Sequence, residues 1–197
     1  MRRFASVAFV CVAAAGCSTF FGSPRAETED PWNRLRRPLG LPHILLGRPC
    51  PRTHTARRVP GIVAALGRGP AYPTLGSRRG IAYLGPHSDT ARVDGWYFRK
   101  TIWTVDARYD GPLLLRGRRI DGKGTLRFQA YGPPSLIRAH QELRWPAGWP
   151  NQNRTAGWRQ LPGATVLRGP GCYAFQADGV TFTRVIVFQA VLPERSG

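Results

Sequence analysis

Four histidines, four cysteines and eight acidic residues beyond Asp30 are the side chains of this 197-residue sequence from which a catalytic or metal site could be built. The histidines are His43, His54, His87 and His140. Cys50-x-x-x-His54 has the spacing of a metal half-site, but no second Cys/His pair follows to complete a tetrahedral set. His87 and Asp89 share a turn-like GPHSDT, which could hold a base and its orienting acid. A nucleophile is missing from that arrangement, and no G-x-S-x-G elbow occurs. Paired carboxylates spaced for glycoside hydrolysis carry no signature either, and Gly-rich phosphate or dinucleotide loops are lacking. The expectation is a non-catalytic protein with no metal and no cofactor; a hydrolase built on His87 or His140 beside a carboxylate is the alternative.

Charge is the other feature with chemical reach. Twenty-nine basic residues against 11 acidic ones give a formal +18, and all but Lys100 and Lys123 of the basic residues are arginine. Ten arginines and no acid fall between Pro31 and His87. Guanidinium forks suit phosphate and carboxylate, and such a field attracts polyanions. Candidate polyanion contacts are Arg34, Arg36, Arg37, Arg57, Arg58, Arg78 and Arg79, with an anionic lipid or acidic envelope polymer as partner. Biased composition is the competing explanation, in which scattered charges merely solvate the surface. Trp145, Trp149 and Trp158 flank the amide-rich PAGWPNQNRT. They could stack on a glycan, or close the end of a core.

The elements that must position these groups read as strands. Gly (23) and Pro (18) make up a fifth of the chain, too much for a helical bundle. Thr101, Trp103, Val105, Ala107 and Tyr109 alternate with Ile102, Thr104, Asp106 and Arg108, the period of a half-buried strand. Asp110-Gly111, Asp121-Gly122 and Asp178-Gly179 come after strand-like runs, and Asp-Gly favours hairpin turns. At Val185–Phe188 both alternating sets are apolar, as where both faces of a strand are covered. Ser135–Trp145 reads as a helix or as two short strands. Residues 35–90 predict an irregular Arg/Pro/Gly-rich arm laid on a β-sandwich of residues 91–197, with short strands at Gly61–Leu66 and Ile81–Leu84. Residues 18–34 read as a flexible tether.

The first 17 residues carry an address. Arg2 and Arg3 precede a largely apolar stretch, Phe4–Ala15, that ends in small residues. This is the layout of a secretory signal, too short to span a bilayer stably. The ending AAGC at Ala14–Cys17 resembles the lipobox of bacterial lipoproteins, which implies a diacylglyceryl group on Cys17 and cleavage before it. Ordinary cleavage after Ala15 is the alternative and gives a secreted protein. Either way the mature chain lies outside the cytoplasm, in the lipid-anchored case on the membrane or envelope. Nucleic acid is then not the expected physiological partner. Cys11 leaves with the signal and Cys17 goes to lipid. Cys50 and Cys172 remain, and in an oxidising compartment a disulfide is the default, two buried thiols the alternative.

The segments IWTVDARYDGPLLLRGRRIDG (Ile102–Gly122), LRF (Leu126–Phe128), GW (Gly157-Trp158) and GPGCYAFQADGVTFTRVIVF (Gly169–Phe188) resemble a group of uncharacterised bacterial exported lipoproteins. RPC at Arg48–Cys50 and LGRGPAYP at Leu66–Pro73 extend the resemblance over most of residues 48–190. It implies an all-β fold with a C-terminal immunoglobulin-like antiparallel β-sandwich, Cys172 at a strand start paired with Cys50, and a role as an interaction or structural module. No catalytic residue comes with it. The Cys…Trp…Cys spacing of antibody domains is absent.

Overall fold

The computed structural model describes residues 30, 32–56, 59–76, 79–85, 90–130, 140–147 and 157–193. Ten strands succeed one another among them: β1 (Ala71–Thr74), β2 (Ile81–Tyr83), β3 (Thr90–Val93), β4 (Trp96–Val105), β5 (Leu113–Arg119), β6 (Leu126–Ala130), β7 (Glu142–Trp145), β8 (Arg159–Leu167), β9 (Gly171–Asp178) and β10 (Thr183–Val191). The first sheet has the order β1-β4-β8-β6, with β3 beside the N-terminal half of β4. The second has the order β2-β10-β9-β5-β7. Every strand pair is antiparallel except β2 with β10.

The two sheets form a β-sandwich because each presents one apolar face. In β4, Thr101, Trp103 and Val105 point inward, as the period-two pattern predicts, and Ala107 and Tyr109 fall in the turn beyond the strand. Tyr173, Phe175 and Ala177 of β9 and Ile186, Phe188 and Ala190 of β10 meet them from the second sheet. Phe175 is the centre: Trp103 packs edge-on at 5.1 Å between ring centroids and Phe188 stacks at 4.7 Å. Such aromatic contacts add about 0.5–1.5 kcal/mol each beyond the area they bury.

The Asp-Gly turns divide by where they send the chain. Asp178-Gly179 does open a hairpin, since Thr183 of β10 pairs with Asp178 of β9. Asp110-Gly111 instead carries the chain from one sheet to the other, correcting the expectation of a hairpin there. Asp121-Gly122 closes a short hairpin, Arg118 bridging Thr125 and Arg119 N–H donating to the Gly124 carbonyl at 3.2 Å, before the chain crosses to the first sheet. A fourth, Asp94-Gly95, is the two-residue hairpin turn between β3 and β4, with φ of 49° and 74°. Positive φ at both central residues matches the right-handed twist of the strands it joins.

The stretch expected to be an irregular arm supplies two strands, β1 to the first sheet and β2 to the second. The sandwich therefore begins before residue 91. Ile81–Tyr83 is a strand as predicted, whereas Gly61–Leu66 makes only isolated bridges, Thr55 with Leu66 and Ala65 with Thr74. In the ambiguous stretch, residues 135–139 lie outside the described residues and Glu142–Trp145 is β7.

Candidate functional site

A strap formed by residues 36–55 covers the outer face of the second sheet. That face carries Cys172, Ala174, Gln176 and Asp178 from β9 and Val187 from β10, all buried. Leu41 and Ile44 of the strap pack on Cys172, Ala174, Val187 and Ile120, so the outer face of β10 is covered at Val187 as the doubly apolar run predicts, whereas Val185 is exposed. Polar contacts fix the register. Gly40 N–H donates to Gln176 Oε1 at 2.8 Å, and Gln176 Nε2 donates to the Pro38 carbonyl at 3.0 Å. The Cys50–Cys172 disulfide links strap to β9 across 122 residues of sequence, with Cα atoms 5.5 Å apart.

Asp178 is fully buried beneath the strap. Arg116 Nη2 donates to it at 2.7 Å, Thr183 Oγ1 at 2.7 Å and Gln176 Nε2 at 3.0 Å. Arg37 adds a fourth neighbour, Nη1 standing 3.7 Å from Asp178 Oδ1 while donating to the Gly179 and Phe182 carbonyls at 2.8 and 2.9 Å. Arg36 pairs with Glu142 at 2.7 Å. Two of the arginines expected to meet polyanions thus hold the strap to the sandwich. Arg34 and Arg79 are exposed, and Arg57, Arg58 and Arg78 lie outside the described residues, as does Cys17.

Where the strap leaves the second sheet, a cleft opens. Thr53 N–H donates to the Val187 carbonyl and Val187 N–H to Thr53 Oγ1, both at 2.9 Å. Gln189 N–H donates to the Gly80 carbonyl. The odd-numbered residues of β10 therefore direct their peptide groups away from β9, by the alternation of antiparallel pairing. Beyond Thr53 the chain turns toward the first sheet, and Gly67 N–H closes that turn on the His54 carbonyl at 3.0 Å. Among the described residues nothing takes up the N–H and C=O of Val185.

This gap widens into a cavity of about 750 Å³ lined by Thr53, His54, Arg68, Tyr72, Arg184 and Val185. A second hollow of about 460 Å³ shares Arg68, Tyr72 and Arg184 and adds Asp106, Arg108 and Tyr109. Arg184 reaches across from β10: Nε donates to the Gly69 carbonyl at 2.7 Å, Nη1 to the Thr183 carbonyl at 3.0 Å, and the guanidinium carbon lies 5.7 Å from the Phe182 ring centroid. Arg68 is presented by two glycines with φ of 101° and 78°. The Tyr72 ring lies so close to Gly69 that a Cβ there would collide with it, and burial pushes its phenol above the usual tyrosine range.

Electrostatically the cleft is basic. Among the described residues the larger cavity has no carboxylate in its wall. In the smaller one Asp106 is taken up by Arg108, which donates to both of its oxygens at 3.0 and 2.8 Å. Those bonds hold Asp106 below the usual carboxylate range. Arg68 and Arg184 remain without a carboxylate among the described residues. Two guanidinium groups beside an open strand edge can bind an anion; no hydroxyl or thiol stands hydrogen-bonded to His54 in the described residues.

The other candidates fall elsewhere. Of the two readings for Trp145, a glycan platform or the end of a core, the structure has the second: it is 2% exposed, with the Arg159 guanidinium 5.3 Å from its ring centroid. Trp158 is half-buried and tilts against Tyr72 at 5.8 Å, and Trp149 lies outside the described residues. His43 and His140 are exposed, and His140 engages Phe128 only through its main chain. His87 and Asp89 lie outside the described residues. The Cys50 sulfur is bonded to Cys172, which leaves Cys50-x-x-x-His54 no thiolate to offer a metal. Among the described residues no three His, Cys, Asp or Glu side chains gather as a metal site, and no helix is long and apolar enough to cross a membrane. Sequence reasoning passes over Arg68, Tyr72 and Arg184; the one available signal for the first two is Gly-Arg-Gly-Pro-Ala-Tyr, an arginine held between glycines. Compared with known protein families, curated proteins and solved structures, the chain matches none.

Proposed function

We propose that this chain is an exported, lipid-anchored envelope protein whose immunoglobulin-like sandwich is a non-catalytic binding module. The observation that carries the reading is the Cys50–Cys172 bond, which fastens the strap to β9 and suits an oxidising compartment. The signal-like N-terminus and Cys17 agree with it. The immunoglobulin-like assignment draws on two face-packed sheets whose strands are joined by crossings between the layers. Binding is favoured over chemistry because, among the described residues, the cleft offers cations and a strand edge without a nucleophile hydrogen-bonded to a base.

A second reading, recognition of a polyanion, is favoured by Arg68 and Arg184 rather than by Arg36 and Arg37, which are committed to Glu142 and Asp178. The test of placement is radiolabelled palmitate fed to cells expressing the wild type or Cys17→Ser. Label in the envelope fraction that disappears in Cys17→Ser is the expected result. An unlabelled protein recovered from the cytoplasm with Cys50 and Cys172 as free thiols overturns the proposal.

A further inference from the structure

We infer that the cleft beside β10 binds an extended peptide bearing carboxylates, its main chain continuing the second sheet at Val185 and its acidic groups meeting Arg68 and Arg184. Two independent features converge there. The first is the interrupted edge: Gly80 occupies β10 at Gln189 and Thr53 occupies it at Val187, and then the strap departs. Among the described residues Val185, 38% exposed, is left with an outward donor and an outward acceptor. Satisfying both at once takes a ligand with an N–H and a C=O in strand spacing, which is a peptide. A phosphate polymer accepts from the N–H but leaves the carbonyl unmet.

The second feature is charge. Arg184 is anchored by its Nε to Gly69 and rests on Phe182, so its position is set before any ligand arrives. Arg68 faces the same cavity. Guanidinium–carboxylate bonds are stronger than neutral ones and favour planar, two-oxygen partners. The free edge is short, bounded by Thr53 on one side and by Arg184 itself on the other. Two main-chain bonds therefore fix direction and register, and most of the affinity falls to the acidic side chains or a terminal carboxylate. Binding must weaken with added salt, since Arg68 is exposed.

This inference rests on the reading of the sandwich as a binding module, yet it is tested separately from anchoring, which palmitate labelling decides. Nitrogen-15-labelled, disulfide-bonded full chain is titrated with an N-acetylated octapeptide of alternating Glu and Val carrying a free carboxylate, and in parallel with inorganic tripolyphosphate. The peptide is expected to shift the Val185 amide resonance and slow its hydrogen exchange at least about tenfold, while tripolyphosphate, which can meet the N–H but not the carbonyl, protects it far less. Arg68→Gln and Arg184→Gln are each expected to weaken peptide binding roughly tenfold or more. Arg68 is exposed, so its variant reports on binding rather than on folding. Unchanged Val185 exchange at saturating peptide overturns the inference. So does equal protection by tripolyphosphate, which makes the cleft a general anion site, or undiminished binding in Arg68→Gln.

Discussion

Replacing Asp178 by asparagine keeps the size of the side chain and removes its charge, so it isolates what the buried carboxylate contributes. Asp178 is fully buried, and Arg116, with a side chain only 15% exposed, donates to it at 2.7 Å. Asparagine leaves that guanidinium beside a neutral amide. Removing one partner of a buried pair costs about 3–5 kcal/mol, because the remaining charge is desolvated without compensation. Thr183 and Gln176 also lose a charged acceptor, which places the expected loss toward the upper part of that range. In a protein of this size the midpoint of thermal unfolding should then fall by roughly 10 °C. Urea unfolding followed by tryptophan fluorescence, with the disulfide intact, gives the loss directly. Arg37→Met provides the comparison: it removes the strap bonds to Gly179, Val180 and Phe182 but leaves Asp178 with Arg116, and should cost only about 1–3 kcal/mol. A loss below about 1 kcal/mol for Asp178→Asn would refute the idea that this carboxylate seats the strap.

Other perturbations read other parts of the structure. Cys50→Ser with Cys172→Ser opens a loop of 122 residues, for which chain entropy gives about 5 kcal/mol, and urea unfolding should show a loss of about 3–5 kcal/mol. Gly69→Ala places a Cβ against the Tyr72 ring at a φ of 78°, and calorimetry should show a loss of about 2 kcal/mol or more. Asp106, held low by its bonds to Arg108, adds stability that is present above the carboxylate's unfolded value and is lost as pH falls through its lower folded value. Acid titration of unfolding should show that loss in the wild type and not in Arg108→Gln. Burial raises Tyr72, so its share of stability is full below the unfolded tyrosine value and declines as pH rises through the folded one. Burial raises Tyr109 and Tyr173 as well, so ultraviolet titration should find several phenols ionising late in the wild type and one fewer in Tyr72→Phe.

How much of the molecule is legible in its sequence depends on the range of the forces involved. The alternation in β4 and the doubly apolar run in β10 are set by which face each side chain meets, so the layered all-β architecture is legible residue by residue. Turn chemistry is local and reads correctly as turns, yet Asp110-Gly111 and Asp178-Gly179 look alike while one changes sheet and the other makes a hairpin. That difference lies in distant partners, β8 and β1 for β4 and β9 for β10, which no window of sequence contains. Arg36 and Arg37 look like surface charge because their acids, Glu142 and Asp178, stand more than a hundred residues away. Trp145 fails as a binding platform for the same reason: its burial depends on Leu113, with which it pairs across β5 and β7. The cleft is invisible in the sequence because it is defined by an interruption in pairing, and nothing in the composition of β10 marks where a neighbour stops.

The strap also constrains how the molecule can be put together in time. Its anchors, Arg37, Cys50 and Thr53, are made early, while the groups that receive them, Asp178, Cys172 and Val187, are nearly the last to be made. A chain made amino end first leaves Leu41 and Ile44 in solvent until almost all of it has been made, with no surface yet present on which to lay them. Completion is withheld until the final hairpin emerges, and the sulfur link then records that the closing step has happened.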